Sequence, residues 1–215
     1  MFEQIRSIFF EYSNLVILVP LLIAAVNFKN YTTDLKIIFY YLALATVTQA
    51  VSFAFWKQSI NNFPILHLYT IVEYLLLLWF YAVILKKFIP NYIFIVLSVA
   101  FTIFLVLNSV FIENIYEFNT YGRSLEALIF IFLSISWFVK IVAEDEETRL
   151  MGKAINYINS GFLVYFAGSI AMFSYSSYVA QMSEVHRVNV WTIHTVLAVQ
   201  LYILIAIGLW KTRAK

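Results

Sequence analysis

The chain has 215 residues, of which 63% are hydrophobic and 12% are charged, and its formal net charge is +2 at pH 7. Soluble globular domains are close to half apolar and a quarter charged, so this composition indicates a protein embedded in a lipid bilayer. The net charge is too small to favour nucleic acid as a partner. The absence of cysteine excludes disulfides, thiolate metal sites and cysteine nucleophiles.

Seven apolar stretches separated by short polar loops predict seven transmembrane helices, because a spanning helix needs about 20 mostly apolar residues. The predicted fold class is therefore all-α, a polytopic membrane bundle that forms a single domain over residues 1–215. Pro20 is a candidate kink in the first stretch, whereas Pro64 and Pro90 fall in the opening turns of the third and fourth. Numbered 1 to 7, the segments cover about 8–27, 34–56, 63–86, 90–112, 121–143, 153–180 and 189–211.

The distribution of Lys and Arg predicts the orientation, because positive residues stay on the cytoplasmic side of a membrane. One predicted side carries four of them, namely Arg6, Lys57, Arg123 and Arg187. The other side carries ten, namely Lys29, Lys36, Lys86, Lys87, Lys140, Arg149, Lys153, Lys211, Arg213 and Lys215. We therefore expect the N-terminus outside and the C-terminus in the cytoplasm, in a bacterial inner membrane.

Ionisable side chains inside predicted spans are the candidate functional residues, because each costs about 2.5–3.5 kcal/mol on insertion scales. Segments 3, 5 and 7 carry these groups in the outer half of the membrane, and Glu73 is the deepest. The polar groups predict a cavity open to the outer face or just beneath it, and Arg123 and Glu126 are spaced to pair locally. The candidate ligand-binding residues are His67, Thr70, Glu73, Arg123, Glu126 and His194.

Three interpretations of these residues stay open. They can form a structural hydrogen-bond network between helices, a site for a small ligand, ion or proton, or a zinc or haem site that uses His67 and His194. No diagnostic histidine spacing supports the metal, so the cofactor is undetermined. Because one shared cavity lets buried polar groups satisfy one another, we expect Glu73, Glu126 and at least one histidine to line a common pocket.

Two further features concern packing and loops. Gly161 and Gly168, seven apart on segment 6, predict the close approach of a neighbouring helix. The acidic run at 144–147 is interpreted as a solvated cytoplasmic turn, with a partner-docking loop as the alternative. His186 is expected in the loop before segment 7.

Two resemblances bear on the topology. Seven helices with the N-terminus outside are similar to microbial rhodopsins, but segment 7 lacks the lysine that forms their retinal Schiff base. The stretch at 61–74, NNFPILHLYTIVEY, resembles helix 3 of small, uncharacterised bacterial seven-helix membrane proteins. The stretch at 119–126, NTYGRSLE, resembles the start of their helix 5. This second resemblance implies the topology and no activity.

The expected function is that of a membrane-embedded sensor or accessory subunit with an outward-facing site centred on Glu73 and Glu126. That site would receive a ligand, a proton or a partner helix. Its output would go to a partner protein or to a second copy of the chain, because the loops are too short to hold an enzyme. The alternatives are a small proton-coupled transporter using the same carboxylates, and a metal-dependent membrane hydrolase using His67, His194 and a glutamate.

Overall fold

The computed structural model describes residues 13–143 and 153–212, and these ranges contain helices and no β-strand. The helices are α1 (Leu18–Asn27), α2 (Thr33–Lys57), α3 (Phe63–Ile84), α4 (Asn91–Phe111), α5 (Thr120–Ala143), α6 (Ala154–Ser174), α7 (Ser176–Gln181) and α8 (Glu184–Lys211). Short 3₁₀ turns flank α1 on both sides. Six of these helices, α2 to α6 and α8, are long and apolar enough to cross a membrane, which indicates a multi-pass membrane protein.

Helix α4 shows why such an apolar chain becomes helical. Its many β-branched and aromatic residues are mediocre helix formers in water, but lipid offers the backbone no hydrogen-bond partners, so each segment must satisfy its own. The helix buries Phe94, Phe101 and Leu105 along one stripe, whereas Ile95 and Val99 on another face are exposed. A helix that is apolar on every face fits a position between protein and lipid.

The long helices and α1 form a closed ring. Helix α1 packs against α2 and α8, α2 against α3, α3 against α4 and α5, and α5 against α6. The most extensive pair is α6 with α8, where Gly161 faces Leu201 and Gly168 faces Leu197. The predicted close approach of a helix to segment 6 is therefore confirmed.

The bundle has two ends with different chemistry. One end, formed by the connections 58–62, 112–119 and 175–183, is called the Arg123 face here. The opposite end, formed by 28–32, 85–90 and the C-terminal end of α8, is called the lysine face. Helices α3, α5 and α8 run from the Arg123 face to the lysine face, and α2, α4 and α6 run the other way.

Most predicted segment ends agree with the helices to within two residues, and Pro64 and Pro90 lie at helix starts as predicted. Pro20 lies in the first turn of α1, next to the change from 3₁₀ to α-helical geometry. Residues 8–12 of segment 1 and the acidic run at 144–147 lie outside the described residues.

Two predictions about the last segments are wrong. The single helix predicted at 153–180 is broken at Tyr175, after which the short helix α7 begins. Ser176 donates to the carbonyl oxygen of Phe173 at 3.0 Å and its hydroxyl lies 2.7 Å from that of Thr120, so it competes with the regular helical hydrogen bonds. The last helix begins at Glu184, which places His186 in its first turn instead of a loop.

Candidate functional site

Two buried carboxylates from different helices contact one guanidinium group. Glu73 lies on α3 and Glu126 on α5, and the exposed fractions of their side chains are 2% and 0%. Arg123, one turn before Glu126 on α5, donates from Nη1 to Glu126 Oε2 at 2.7 Å and also to Glu73 Oε2. The local pair expected on segment 5 is present and extends to α3. We call Glu73, Arg123 and Glu126 the ionic triad.

Two tyrosines add hydrogen bonds to the ionic triad. The hydroxyl of Tyr69 donates to Glu73 Oε1 at 2.9 Å, and Arg123 Nη2 donates to the hydroxyl of Tyr165 at 3.4 Å. Both carboxylate oxygens of Glu73 therefore have donors, whereas Glu126 Oε1 is buried and has no hydrogen-bond partner. Sequence reasoning missed both tyrosines. The spacing of four between Tyr69 and Glu73 is a usable signal, whereas no sequence signal links Tyr165 to α5.

His194 on α8 lies beside the ionic triad. Its ring centroid is 5.5 Å from those of Tyr165 and Phe173, and its Nδ1 is 3.1 Å from the hydroxyl of Ser169. The guanidinium carbon of Arg123 lies 4.8 Å from the centroid of the same Phe173 ring, at cation–π distance. His194 therefore reaches the ionic triad through aromatic rings.

His67 and Thr70 do not join this group. His67 Nδ1 lies 3.2 Å from the hydroxyl of Ser109, and its Nε2 lies 3.1 Å from the carbonyl oxygen of Glu117. It therefore connects α3 to α4 and to the 112–119 connection. Thr70 donates to the carbonyl oxygen of Leu66 within its own helix. The hydrogen bonds of His67 and Thr70 therefore go to groups outside the ionic triad, in agreement with steps of three that turn side chains progressively around a helix.

The described ranges contain no metal-ligand set. Within 13–143 and 153–212, no group of three or more His, Asp or Glu side chains is placed to hold a metal ion. His67 and His194 contact different partners, Ser109 and Ser169. The zinc and haem interpretations have no geometric support in this part of the chain.

An apolar layer lies between the ionic triad and the lysine face. One turn beyond Glu73 and Glu126, α3 contributes Leu77 and α5 contributes Phe130, and α6 contributes Phe162 at the same level. All three are completely buried. Along α3, α5 and α6, this layer separates the ionic triad from the polar groups nearer the lysine face.

The next turn of the same three helices carries a second polar group. The hydroxyl of Tyr81 on α3 lies 2.6 Å from that of Ser134 on α5 and donates to Asn159 Oδ1 on α6 at 2.9 Å. Asn159 Nδ2 donates to the carbonyl oxygen of Ser134 at 3.0 Å. The Tyr81 group contains no charge, and its side chains satisfy one another.

Glu113 positions the start of α5 at the Arg123 face. Its carboxylate accepts from the backbone N–H groups of Thr120 and Tyr121 and from Asn108 Nδ2. Such a carboxylate caps the helix and offsets its positive end. Sequence reasoning also missed this residue, because the cap is formed from outside the helix.

Comparisons of the chain with protein-family models, with curated proteins and with solved structures found no match. The function must therefore be argued from the geometry of the ionic triad and its surroundings.

Proposed function

We propose that the protein is an integral membrane sensor or accessory subunit that receives a small ligand or a proton at the ionic triad. The change there is passed to a partner protein. The observation that supports this proposal is the one-sided placement of the charged group. It lies in the half of the bundle toward the Arg123 face, and an apolar layer separates it from the lysine face.

The proposed topology has seven spans, with α1 and the chain before it as the first. The N-terminus lies outside and the C-terminus lies in the cytoplasm of a bacterial inner membrane. Among the described residues, Lys57, Arg123 and Arg187 lie toward the Arg123 face. Seven lie toward the lysine face, namely Lys29, Lys36, Lys86, Lys87, Lys140, Lys153 and Lys211. This bias favours a cytoplasmic lysine face, so the ionic triad would open to the outside.

The contrast between the two polar groups favours a receiving role for the ionic triad. The Tyr81 group is neutral and internally satisfied, as expected of a structural connection between helices. The ionic triad combines two carboxylates with one guanidinium, and Glu126 Oε1 lacks a donor. Burying an uncompensated charge costs several kcal/mol, so this arrangement favours the arrival of one further positive charge.

The apolar layer favours a sensor over a permease. An ion that moved along α3, α5 and α6 would have to pass Leu77, Phe130 and Phe162, whose side chains have no polar atoms. The connections described at the lysine face are short, so the output is expected to pass to another chain.

One observation favours the proton-coupled permease as a second candidate. The Tyr81 group lies on the same three helices as the ionic triad, so only one layer divides the two polar groups.

The test uses the natural absence of cysteine. A fluorophore is attached to a single Lys86→Cys substitution on the exposed lysine face, and the protein is placed in lipid nanodiscs. The probes are an acid step, sodium chloride and methylammonium chloride. A sensor is expected to change the emission with at least one probe. Arg123→Gln is expected to abolish this response, whereas the matched exposed variant Arg187→Gln keeps it.

Proteoliposomes containing an internal pH dye separate the two candidates. The sensor leaves the internal pH at the level of empty liposomes after an external acid step. Rapid internal acidification that is lost in Glu126→Gln would establish the permease instead. The absence of any emission change in folded, labelled protein would contradict the sensor.

A further inference from the structure

We propose that Glu126 carries a proton at neutral pH and that this exchangeable proton is the ligand of the ionic triad. The role of this proton as the ligand rests on the proposed function, whereas its location on Glu126 rests on geometry alone. Glu73 is then the ionised carboxylate, and Arg123 is its counter-ion.

The hydrogen bonds distinguish the two carboxyl groups. Glu73 accepts from Tyr69 at Oε1 and from Arg123 at Oε2, and donors on both oxygens stabilise an ionised carboxylate. Glu126 accepts from Arg123 at Oε2 only, and its other oxygen is buried without a partner. A proton on Glu126 Oε1 removes the charge from that unpartnered atom, and Oε2 continues to accept from Arg123.

The charges lead to the same assignment. With both carboxyl groups ionised, the ionic triad has two negative charges and one positive charge. Adding one proton gives a single ion pair between Arg123 and Glu73 with no net charge, which is the form of this group with the lowest free energy inside a bundle. The next apolar turn of α5, with Phe130 completely buried, gives Glu126 no other source of positive charge.

The titratable groups on the other packed helices do not change this balance. Tyrosines are neutral at pH 7, and the ring of His194 packs against Tyr165 and Phe173, the second of which also contacts Arg123. The titratable groups facing the ionic triad are Tyr41 on α2, Tyr69 and Tyr74 on α3, Tyr165 on α6, and His194 and Tyr202 on α8.

The exposed fractions of the three side chains indicate the path by which the proton of Glu126 exchanges with water. Arg123 has a side-chain exposed fraction of 16%, whereas the two carboxyl groups are buried, so Arg123 is the member of the ionic triad that reaches the surface of the bundle. Release breaks the O–H bond of Glu126, and the proton passes to water at this face. The apolar layer blocks the opposite direction. Acidity outside the cell would therefore determine whether the ionic triad is neutral or negative.

Infrared difference spectroscopy on the intact protein in nanodiscs tests the inference. At neutral pH the wild type is expected to show the C=O stretching band of one protonated carboxyl group, shifted in D₂O. The band should lie at the high-frequency end of its range, because the O–H group of Glu126 lacks an acceptor. Glu126→Gln is expected to remove the band. Glu113→Gln, a control carboxylate with N–H donors, is expected to keep it.

A pair of shortened side chains assigns the proton to one residue. Glu126→Asp is expected to shift the band, and Glu73→Asp is expected to leave it in place. A wild type without the band, or a band that shifts only with Glu73→Asp, would overturn the inference. The wild-type spectrum needs no variant, so the inference can be contradicted even when a substitution prevents folding.

The spectra also separate this inference from the proposed function. A band without any emission change at labelled Lys86→Cys leaves the proton site standing and contradicts the sensor. An emission change caused by sodium or methylammonium, without a band, leaves the sensor standing and contradicts the proton site.

Discussion

Glu73 and Glu126 contact the same nitrogen atom, Nη1 of Arg123, although one carboxylate belongs to α3 and the other to α5. These two helices otherwise share a smaller contact surface than α5 shares with α6. The shared nitrogen therefore joins two helices and brings two buried negative groups to one positive charge.

Replacing Arg123 with glutamine is expected to destabilise the protein by about 3–5 kcal/mol, because the substitution leaves buried carboxyl groups without their counter-ion. Thermal unfolding in nanodiscs measures the change. Arg187→Gln on the exposed start of α8 is the matched control and is expected to have little effect. Adding Glu73→Gln and Glu126→Gln to Arg123→Gln should recover part of the loss. Equal stability of Arg123→Gln and the wild type would contradict the interior placement of the ionic triad.

Tyr81→Phe is expected to cost about 1–2 kcal/mol, because it removes the hydroxyl shared by Ser134 and Asn159. Tyr92→Phe is the matched control, since Tyr92 is 65% exposed on the outside of α4. The same thermal unfolding assay compares the two variants. The interpretation of the Tyr81 group as a structural connection fails if both substitutions have the same small effect.

Glycine substitutions test the packing of α6 against α8. A Cβ atom on Gly208 would lie 2.7 Å from the backbone carbonyl oxygen of Ala154, which cannot rotate away. A Cβ atom on Gly161 would first meet the end of the Leu201 side chain, at 3.1 Å. Gly208→Ala is therefore expected to lower the melting temperature more than Gly161→Ala. The reverse order would show that the two helices pack differently.

Glu113→Ala is expected to cost about 1 kcal/mol and to loosen the start of α5, because the N–H of Tyr121 loses its acceptor and that of Thr120 keeps only the carbonyl oxygen of Phe118. Glu117→Ala is the control on the same connection, since His67 contacts only the backbone carbonyl of Glu117. Hydrogen exchange at Thr120 and Tyr121 measures the effect directly. Unchanged exchange in Glu113→Ala would exclude the capping role.

The helices were predictable because a backbone segment in lipid must satisfy its hydrogen bonds within itself, which an α-helix does. The length of each segment follows from the thickness of the bilayer. The break at Tyr175 was not predictable, because it depends on a contact between Ser176 and Thr120 that only the folded bundle creates. The early start of α8 was missed because its first turns, including His186, are polar and exposed.

The candidate site was predictable in part. The cost of a charge inside a membrane identified Glu73, Arg123 and Glu126 from the sequence, and the structure brings these three together. Tyr165 was missed because the chain has 15 tyrosines and its contact with Arg123 joins two helices. His67 was selected by the same reasoning, but its partners lie on α4 and the 112–119 connection, and helix spacing gives no information about them.

Single cysteines also test the predicted orientation, because the chain has none of its own. Gln58→Cys lies on the Arg123 face and Lys86→Cys on the lysine face, and both positions are exposed. In intact cells, a membrane-impermeant thiol reagent is expected to label Gln58→Cys and to leave Lys86→Cys unlabelled. The opposite pattern would reverse the proposed topology.

The central claim is that the charged site is reached from outside the cell and closed from inside. Thiol labelling in intact cells tests it most directly, with cysteine placed at either of two serines of α5. Ser124 and Ser136 are both partly buried, and each donates to the carbonyl oxygen four residues earlier. Ser124 follows Arg123, whereas Ser136 lies beyond the apolar layer. Ser124→Cys is expected to react with the impermeant reagent in intact cells, and Ser136→Cys is expected to remain unlabelled. Reaction of Ser136→Cys from outside, or protection of Ser124→Cys, would contradict the proposed one-sided site.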